Sequence, residues 1–328
     1  MVDRKTLSVP VVFADRFFMT EKSLAEISSL GGYAWAEAKD PLDLAAKLNG
    51  SPSVRVIVSE YIPINASLLE RAPRLKAVIA YGAGYDHIDV DSLSERGVQV
   101  CNCRGENAQA VAELTFGLLL CLLRRIHRSD RWVRENGWPK AGRALPEWIS
   151  GQELWKKNLG IIGLGQIGSI VAKIANGFEM KIVAYDPFVQ PKFDVKSSPL
   201  KEVLSRADIL TLHIPLSSKT EKMIDARALA AMKPEVILVN TSRGRVIDEQ
   251  ALLKALREGR VKGAALDVFS SEPISAEHPF AQMENVVLSP HMGAMTQEAG
   301  ERLSDTVARQ VRDILDGRRP ECLVNADC

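Results

Sequence analysis

Three residues far apart in the chain carry side chains that together could reduce a carbonyl. Arg243 follows the apolar run VILVNTS, Glu272 comes shortly after AALDVF, and His291 follows VVLSP. Reduction of a 2-keto acid needs a cation on the carboxylate, an acid that protonates the developing alkoxide, and a partner that tunes that acid near neutral pH. Arginine, histidine and glutamate supply one candidate for each task. All three stand at the ends of predicted strands, and ligands of open α/β sheets bind outside those ends. Taken singly, Arg243 reads as a surface charge, His291 as a packed imidazole and Glu272 as the end of a loop before Pro273. The case for chemistry is their joint placement.

A hydride donor is the other requirement, and Gly163-Leu164-Gly165-Gln166-Ile167-Gly168 offers it a place. Glycine spacing alone is a weak signal, but this stretch follows the apolar run LGII and opens the helical pattern SIVAKIANGF. That is the setting of a dinucleotide-binding turn. Gly163 permits the tight turn, Gly165 lets the backbone approach a pyrophosphate, and Gly168 lets helix and sheet pack closely. Gln166 and Ile167 begin the helix whose first amides and dipole would hold the phosphates. Asp186 ends the next run, KIVAYD, 18 positions after Gly168. Its carboxylate suits the adenosine ribose hydroxyls and would repel a 2′-phosphate, and Pro187 and Phe188 bring no compensating cation. NAD is therefore expected rather than NADP. The bland alternative is a tight turn with Asp186 as a strand cap.

The elements that must position these residues alternate between β-branched apolar runs and amphipathic stretches, as in α/β proteins with parallel sheets. In the first third, strands are predicted at residues 10–14, 54–60, 76–81 and 98–102, with helical patterns at 21–30, 43–48, 66–71 and 90–95. One long Leu-rich helix is predicted over 107–134. Four of the five tryptophans follow within residues 132–155, a stretch that reads as an extended arm and a subunit interface, where tryptophan is enriched. Strands then fit 158–162, 181–185, 209–214, 236–241, 263–268 and 286–289. Ser198-Pro199 has the pattern of a helix N-cap followed by a first-turn proline. Asp248 should cap a helix over 249–258 that Gly259 stops, and a last helix should cover 296–315.

NTSRGRVIDEQAL, ALDVFSSEP and LSPHMGAMT, spaced as here after GLGQIG, resemble the D-isomer-specific 2-hydroxyacid dehydrogenase family, and YGAGYDHID and NAQAVAEL upstream match it too. The resemblance covers roughly residues 54–309. It implies a two-domain α/β fold: a flavodoxin-like substrate domain (1–104 and 294–328) and a Rossmann doubly wound NAD-binding domain (105–293) with a dimerisation arm at about 130–155. The active site would lie in the cleft between them. It also implies that Arg243 clamps the substrate carboxylate and 2-oxygen, where a planar fork serves better than lysine. His291 would be the acid in reduction and the base in oxidation, with Glu272 orienting its ring and stabilising its charged form. Amides around Gly82, Ala83 and Gly84 would grip the carboxylate. Asp267 would face the nicotinamide, while His213, Pro215 and Thr241 would line the cofactor. Relatives are typically homodimers.

Composition fits a globular enzyme: 46% hydrophobic, 25% charged, net charge +1. Acids and bases are interspersed, so neither a nucleic-acid surface nor a membrane is an expected partner. The stretch MVDRKTLSVP has no signal-peptide core. The five cysteines are odd in number and scattered, which suits reduced thiols in cytoplasm. Cys101-x-Cys103 has no second pair at a metal-binding spacing, and no metal is expected. The expected partners are a small 2-keto or 2-hydroxy acid and a second copy of the chain. Phosphoglycerate-oxidising members carry arginines in segments resembling V-R-S and R-A-G-x-G, where this chain has Val58-Ser59-Glu60 and Ala80-Tyr81-Gly82. Small keto acids such as glyoxylate or hydroxypyruvate therefore rank first, with 3-phosphoglycerate or a sulfonated hydroxy acid as the alternative. From a different class, an NAD(H)-sensing, corepressor-like binding protein would keep the same three residues.

Overall fold

The structure, a computed structural model, describes residues 8–49, 51–136, 145–188, 195 and 197–325. The chain divides into two compact units, Met1–Asn107 with Ala294–Cys328, and Ala108–Gly293. The segment 137–144, within the predicted arm, lies outside the described residues.

The first unit is built on short, mainly apolar runs, and all its strands but the half-buried second one are buried along most or all of their length, the environment of a parallel sheet. They are β1 Val11–Phe13, β2 Tyr33–Trp35, β3 Val56–Ser59, β4 Ala77–Ala80 and β5 Gln99–Asn102, all parallel in the order β2-β1-β3-β4-β5. That is the flavodoxin-like order. Helices α1 Glu21–Ser29, α2 Pro41–Leu48 and α3 Val90–Ser94 link them, each capped by a side chain (Thr20, Asp40, Asp89) that accepts a first-turn amide. The strand β2 was not anticipated. It has three half-buried residues, YAW, behind two glycines with positive φ, Gly31 and Gly32, too little for an alternating pattern to show. Residues 66–71, read as helical, form a 3-10 turn over Ala66–Glu70.

The second unit has six parallel strands: β6 Asn158–Ile162, β7 Lys181–Tyr185, β8 Ile209–Leu212, β9 Val236–Asn240, β10 Val261–Leu266 and β11 Val286–Leu288. Their order is β11-β10-β9-β8-β6-β7. A single parallel bridge, Ala184 with Ser197, stands beyond β7 where a doubly wound sheet has its third strand. The chain leaves β6 toward one edge and returns at β8 on the other side, so the switch point lies between β6 and β8.

The long helix predicted over 107–134 is two helices, α4 Ala108–Leu123 and α5 Ile126–Asn136. Arg125 takes a left-handed φ of 53° and ends the first. A crossing segment seals the break: Gln152 N donates to the Leu123 carbonyl at 3.1 Å, and a Cβ on Gly151 would lie 2.6 Å from that same oxygen. The leucines stop at Leu123 and α5 is mostly polar, so a single helix over 107–134 joined two stretches of different character. Helix α6 is Gln166–Gly177 and α7 is Leu200–Arg206. Pro199 itself is the N-cap of α7, one residue later than expected, because Ser198 N is bonded to Ala184 O at 2.7 Å and extends the sheet. Helices α8 Ala226–Ala231 and α9 Glu249–Arg257 complete the unit, and Asp248 caps α9 as predicted. The terminal helix Gln297–Leu315, capped by Thr296, belongs to the first unit.

At the amino ends of the second sheet, Asp208 ties three strands together. Its Oδ2 accepts from Asn158 N (2.7 Å) and Nδ2 (2.8 Å) at the start of β6, and its Oδ1 accepts from Lys233 Nζ (2.7 Å) ahead of β9. Burial works against its charge, but those donors outweigh burial and hold the carboxyl below the usual range. A depressed folded-state pKa gives stability that is present above the unfolded value and is lost as pH falls through the folded one. Asp208→Asn should cost about 1–3 kcal/mol at neutral pH. In thermal melts from pH 7 downward, the gap to the wild type should close below the ordinary aspartate range, about pH 4. A gap independent of pH would show that the charge plays no part.

Candidate functional site

Between β6 and α6 the turn is closed by contacts that only glycines allow. Gly163 has a φ of 97°, and a Cβ there would lie 2.4 Å from the His213 carbonyl oxygen. A Cβ on Gly168 would lie 1.9 Å from the Gly163 carbonyl oxygen. Gly165 differs: it is the N-cap of α6 with no side-chain capping bond, and a Cβ on it would meet nothing within 4 Å. Open space beside uncapped amides is what a pyrophosphate requires.

Asp186 follows β7 and is stitched to the same turn. Its Oδ2 accepts from Leu164 N at 2.8 Å and its Oδ1 from Phe188 N at 2.8 Å. The side chain thus supports the glycine turn, a role that the sequence reading of Asp186 as a ribose contact did not include. His213, at the end of β8, bonds Thr211 Oγ1 through Nε2 at 2.9 Å. Its Nδ1 is enclosed with no hydrogen-bond partner among the described residues, although the residue as a whole is half-exposed. Burial pushes the ring down to about 3, so it is neutral. Thr241 is buried and pairs with Thr115 Oγ1 at 2.9 Å, and Pro215 is exposed with its carbonyl accepting from Thr220 Oγ1. The glycine turn, the uncapped helix and Asp186 together fit NAD.

Arg243, Glu272 and His291 leave the carboxyl ends of three neighbouring strands, β9, β10 and β11. His291 Nδ1 lies 2.7 Å from Glu272 Oε2, and Glu272 Oε1 accepts from Phe269 N at 2.8 Å. Burial would raise the Glu272 pKa. The bonds from His291 and Phe269 and the charges of His291 and Arg243 outweigh it and hold the carboxyl below its usual range. The three residues predicted to act together are therefore brought together.

Several supports were not anticipated. Asn240 is fully buried at the end of β9; its Oδ1 accepts from Ser242 N and Oγ, and its Nδ2 donates to Arg243 O at 2.9 Å. Gly244 lies so close to the Phe269 backbone that a Cβ would fall 1.9 Å from its carbonyl carbon. A glycine directly after a candidate arginine was the available clue. Asp267, expected at the nicotinamide, is 1% exposed and its carboxylate is turned toward the end of β11 and the turn that follows it. Its Oδ1 accepts from Ser289 Oγ (2.6 Å) and Met292 N (2.9 Å), and its Oδ2 accepts from Gly293 N (2.9 Å). Its carbonyl accepts from His291 N at 2.8 Å. The visible work of Asp267 is to hold the His291 turn.

In the first unit, the turn after β4 is fixed by β5. Cys103 N donates to Gly82 O (2.7 Å) and Asn102 Nδ2 donates to Ala83 O (2.8 Å). In a trans peptide the N–H opposes the carbonyl, so the amides of Ala83 and Gly84 point away from that strand end. Gly82 has a φ of 143°. No group of metal-binding side chains occurs among the described residues, and none of their helices is long and apolar enough to cross a membrane.

The family model described as "D-isomer specific 2-hydroxyacid dehydrogenase, NAD binding domain" matches residues 116–293. Glyoxylate reductase of Korarchaeum cryptofilum is 41% identical over 269 residues, 81% of this chain and 80% of that protein. D-3-phosphoglycerate dehydrogenase of Mycobacterium leprae is 35% identical over 326 residues, covering 98% of this chain and 60% of that protein. Among solved structures, D-lactate dehydrogenase from Aquifex aeolicus complexed with NAD and lactic acid superposes with a TM-score of 0.83 at 26% identity, over 97% of this chain and 100% of that one.

The two glycines separate folding from binding. Gly165→Ala should leave the melting temperature within about 2 °C of wild type while weakening NADH about tenfold or more in a fluorescence titration, because the methyl group occupies the phosphate's approach. Gly168→Ala should lose about 3 kcal/mol, since backbone has to move. Unchanged NADH affinity in Gly165→Ala would remove the turn from the cofactor site.

Proposed function

The chain belongs to the D-isomer-specific 2-hydroxyacid dehydrogenases, and from that premise we propose that it reduces a small 2-keto acid of the glyoxylate type, with His291 as proton donor and Arg243 as carboxylate clamp. It is an NAD-dependent oxidoreductase that interconverts keto and hydroxy acids. The observation that carries the finer reading is the 2.7 Å contact between His291 Nδ1 and Glu272 Oε2.

With Nδ1 committed to Glu272, Nε2 is the nitrogen that meets the substrate's 2-oxygen. His291 in its protonated form donates to that oxygen as the carbonyl is reduced, and Glu272 stabilises the positive ring beforehand and fixes its orientation. Arg243 offers a planar fork to the carboxylate, polarises the neighbouring carbonyl and sets which face is presented. The bound nicotinamide supplies or accepts the hydride. In the oxidation direction neutral His291 takes the hydroxyl proton, so one residue serves both directions.

The first unit is proposed as the substrate domain, with the amides of Ala83 and Gly84 as further donors to the carboxylate. A small substrate is supported by the 41% identity to a glyoxylate reductase and by Ser59, followed by the acidic Glu60, where phosphoglycerate-oxidising members carry an arginine. Asp186 supports NAD over NADP. A homodimer in the cytoplasm is the proposed working state; the described cysteines, Cys101, Cys103, Cys121 and Cys322, are free thiols.

Purified protein with NADH and a panel of 2-keto acids, followed by nicotinamide absorbance, tests the assignment. Turnover should be highest with glyoxylate or hydroxypyruvate, and at least about tenfold lower with NADPH. Arg243→Ala should lower kcat/KM by about a hundredfold or more, the scale of one charge-assisted bidentate contact, while the NADH Kd stays within about threefold. Turnover that survives this substitution would remove Arg243 from the carboxylate.

A further inference from the structure

We infer that Glu249 is a positioning residue for the His291–Glu272 pair, acting through Ser270; the inference rests on the acid–base role proposed for that pair. Glu249 opens α9, directly after the capping Asp248. Its Oε1 accepts from Ser270 N at 2.6 Å and its Oε2 from Ser270 Oγ at 2.6 Å. A carboxylate thus grips one residue at two points, two positions before Glu272.

Among the described residues, the backbone of the loop from β10 to Glu272 is held near its beginning, and Glu272 Oε1 accepts from Phe269 N within it. Asp267 N is bonded to Asn240 O at 3.0 Å, and the Phe269 backbone is packed against Gly244. Ser270, Ser271 and Glu272 are exposed residues, so water could replace any bond they make. A short peptide with such freedom does not by itself aim a carboxylate at one ring nitrogen. The clamp transfers the rigidity of α9, whose Leu252, Leu253 and Leu256 are buried in the sheet's core, to the exposed end of that loop.

Glu272 is faced by His291 from beyond β11 and by Arg243 from beyond β9, and it accepts from Phe269 N within its own loop. Glu249 reaches it only through Ser270. Surface hydrogen bonds contribute little to stability because water competes for them. The role therefore predicts an effect on turnover larger than any effect on folding.

The test uses the full chain with NADH and the keto acid that responds best, comparing Glu249→Ala, Glu249→Gln, Ser270→Ala and, as a control, Glu272→Gln. Glu249→Ala should lower kcat, normalised to NADH-binding sites, about tenfold, with KM and NADH Kd within about threefold. The acid limb of its kcat profile should move to higher pH. Glu272 has to be ionised to hold His291, and with its loop loosened it loses part of the donation that keeps it ionised. Glu249→Gln should recover most of the rate, because its amide oxygen can still accept from Ser270 N while its NH2 donates to the hydroxyl. Ser270→Ala, which removes one bond of the two, should fall between. A Glu249→Ala enzyme with wild-type kcat and acid limb overturns the inference, as does a loss confined to the number of folded sites. Should that variant fail to fold, an unmoved acid limb in Ser270→Ala overturns it instead. Glu272→Gln separates the two levels: if its rate and acid limb are unaltered, the acid–base reading itself falls. If it is impaired while the Glu249 and Ser270 variants are not, only the positioning role falls.

Discussion

A buried carboxylate that has to be satisfied is the constraint on which the end of the second sheet carrying Glu272 and His291 depends. Asp267 is 1% exposed and carries a charge that the interior does not tolerate unpaired. Ser289 Oγ and the amides of Met292 and Gly293 meet it. Two of these donors are backbone groups on the turn that presents His291, so satisfying the charge and shaping the turn are one event. The turn has to be forced, because His291 takes a left-handed φ of 52°, a conformation that costs a side-chain-bearing residue on the order of 1 kcal/mol. Three charge-assisted bonds and the His291 N bond to Asp267 O offset that cost comfortably. The same strand end then runs on to Glu272, so β10 delivers both the anchor of the histidine and its partner.

The glycines make a second, steric constraint that converges on the same edge of the sheet. Gly163, Gly168 and Gly244 are each pressed against backbone atoms of another segment. Gly163 and Gly168 pull the α6 start onto β6 and β8. Gly244 brings the Arg243 turn against the loop from β10. Side chains of any size at these positions would separate segments whose hydrogen bonds aim the polar groups. Gly165, with empty space beside it, shows the contrasting use of glycine, where the missing side chain leaves room for a ligand.

Much of this was legible in the sequence because it depends on local pattern. The strands β6 and β7 fall on the predicted residues, since runs such as NLGII and KIVAY bounded by turn residues have few alternatives. GLGQIG was readable because its neighbours supplied the strand and helix that give it meaning, and Arg243, Glu272 and His291 were readable from their places after strands. What escaped depends on contacts between distant segments. Nothing near Asn240 announces that its side chain will fold back onto Arg243 O, and nothing near Glu249 points to Ser270, 21 positions on. The support that Asp267 gives the His291 turn escaped for the same reason, since its partners lie at Ser289, Met292 and Gly293. The break at Arg125 was missed because helical residue types continue on both sides of it, although the leucines end at Leu123 and α5 buries none of its residues.

Sheet order ties the two constraints to the chemistry. Neighbouring strands lie about 4.8 Å apart, and the order β11-β10-β9-β8-β6-β7 sets out the functional residues in one row. His291, Glu272 and Arg243 leave from the first three strands, His213 from the next, the glycine turn from β6 and Asp186 from β7. On the proposed reading, a dinucleotide with its pyrophosphate at the glycine turn and its adenosine ribose at Asp186 has only one direction left for its nicotinamide, toward β9 and β10. The reactive ring therefore approaches the carboxylate clamp and the proton donor because of strand order, before any side chain contributes to recognition. The neutral, enclosed His213 at the midpoint fits this layout, since a charged ring there would compete with the helix start for the phosphates. Polarity along the row, from the acid–base pair through the clamp to the phosphate turn, follows from a topology that the alternating pattern of the chain already dictates.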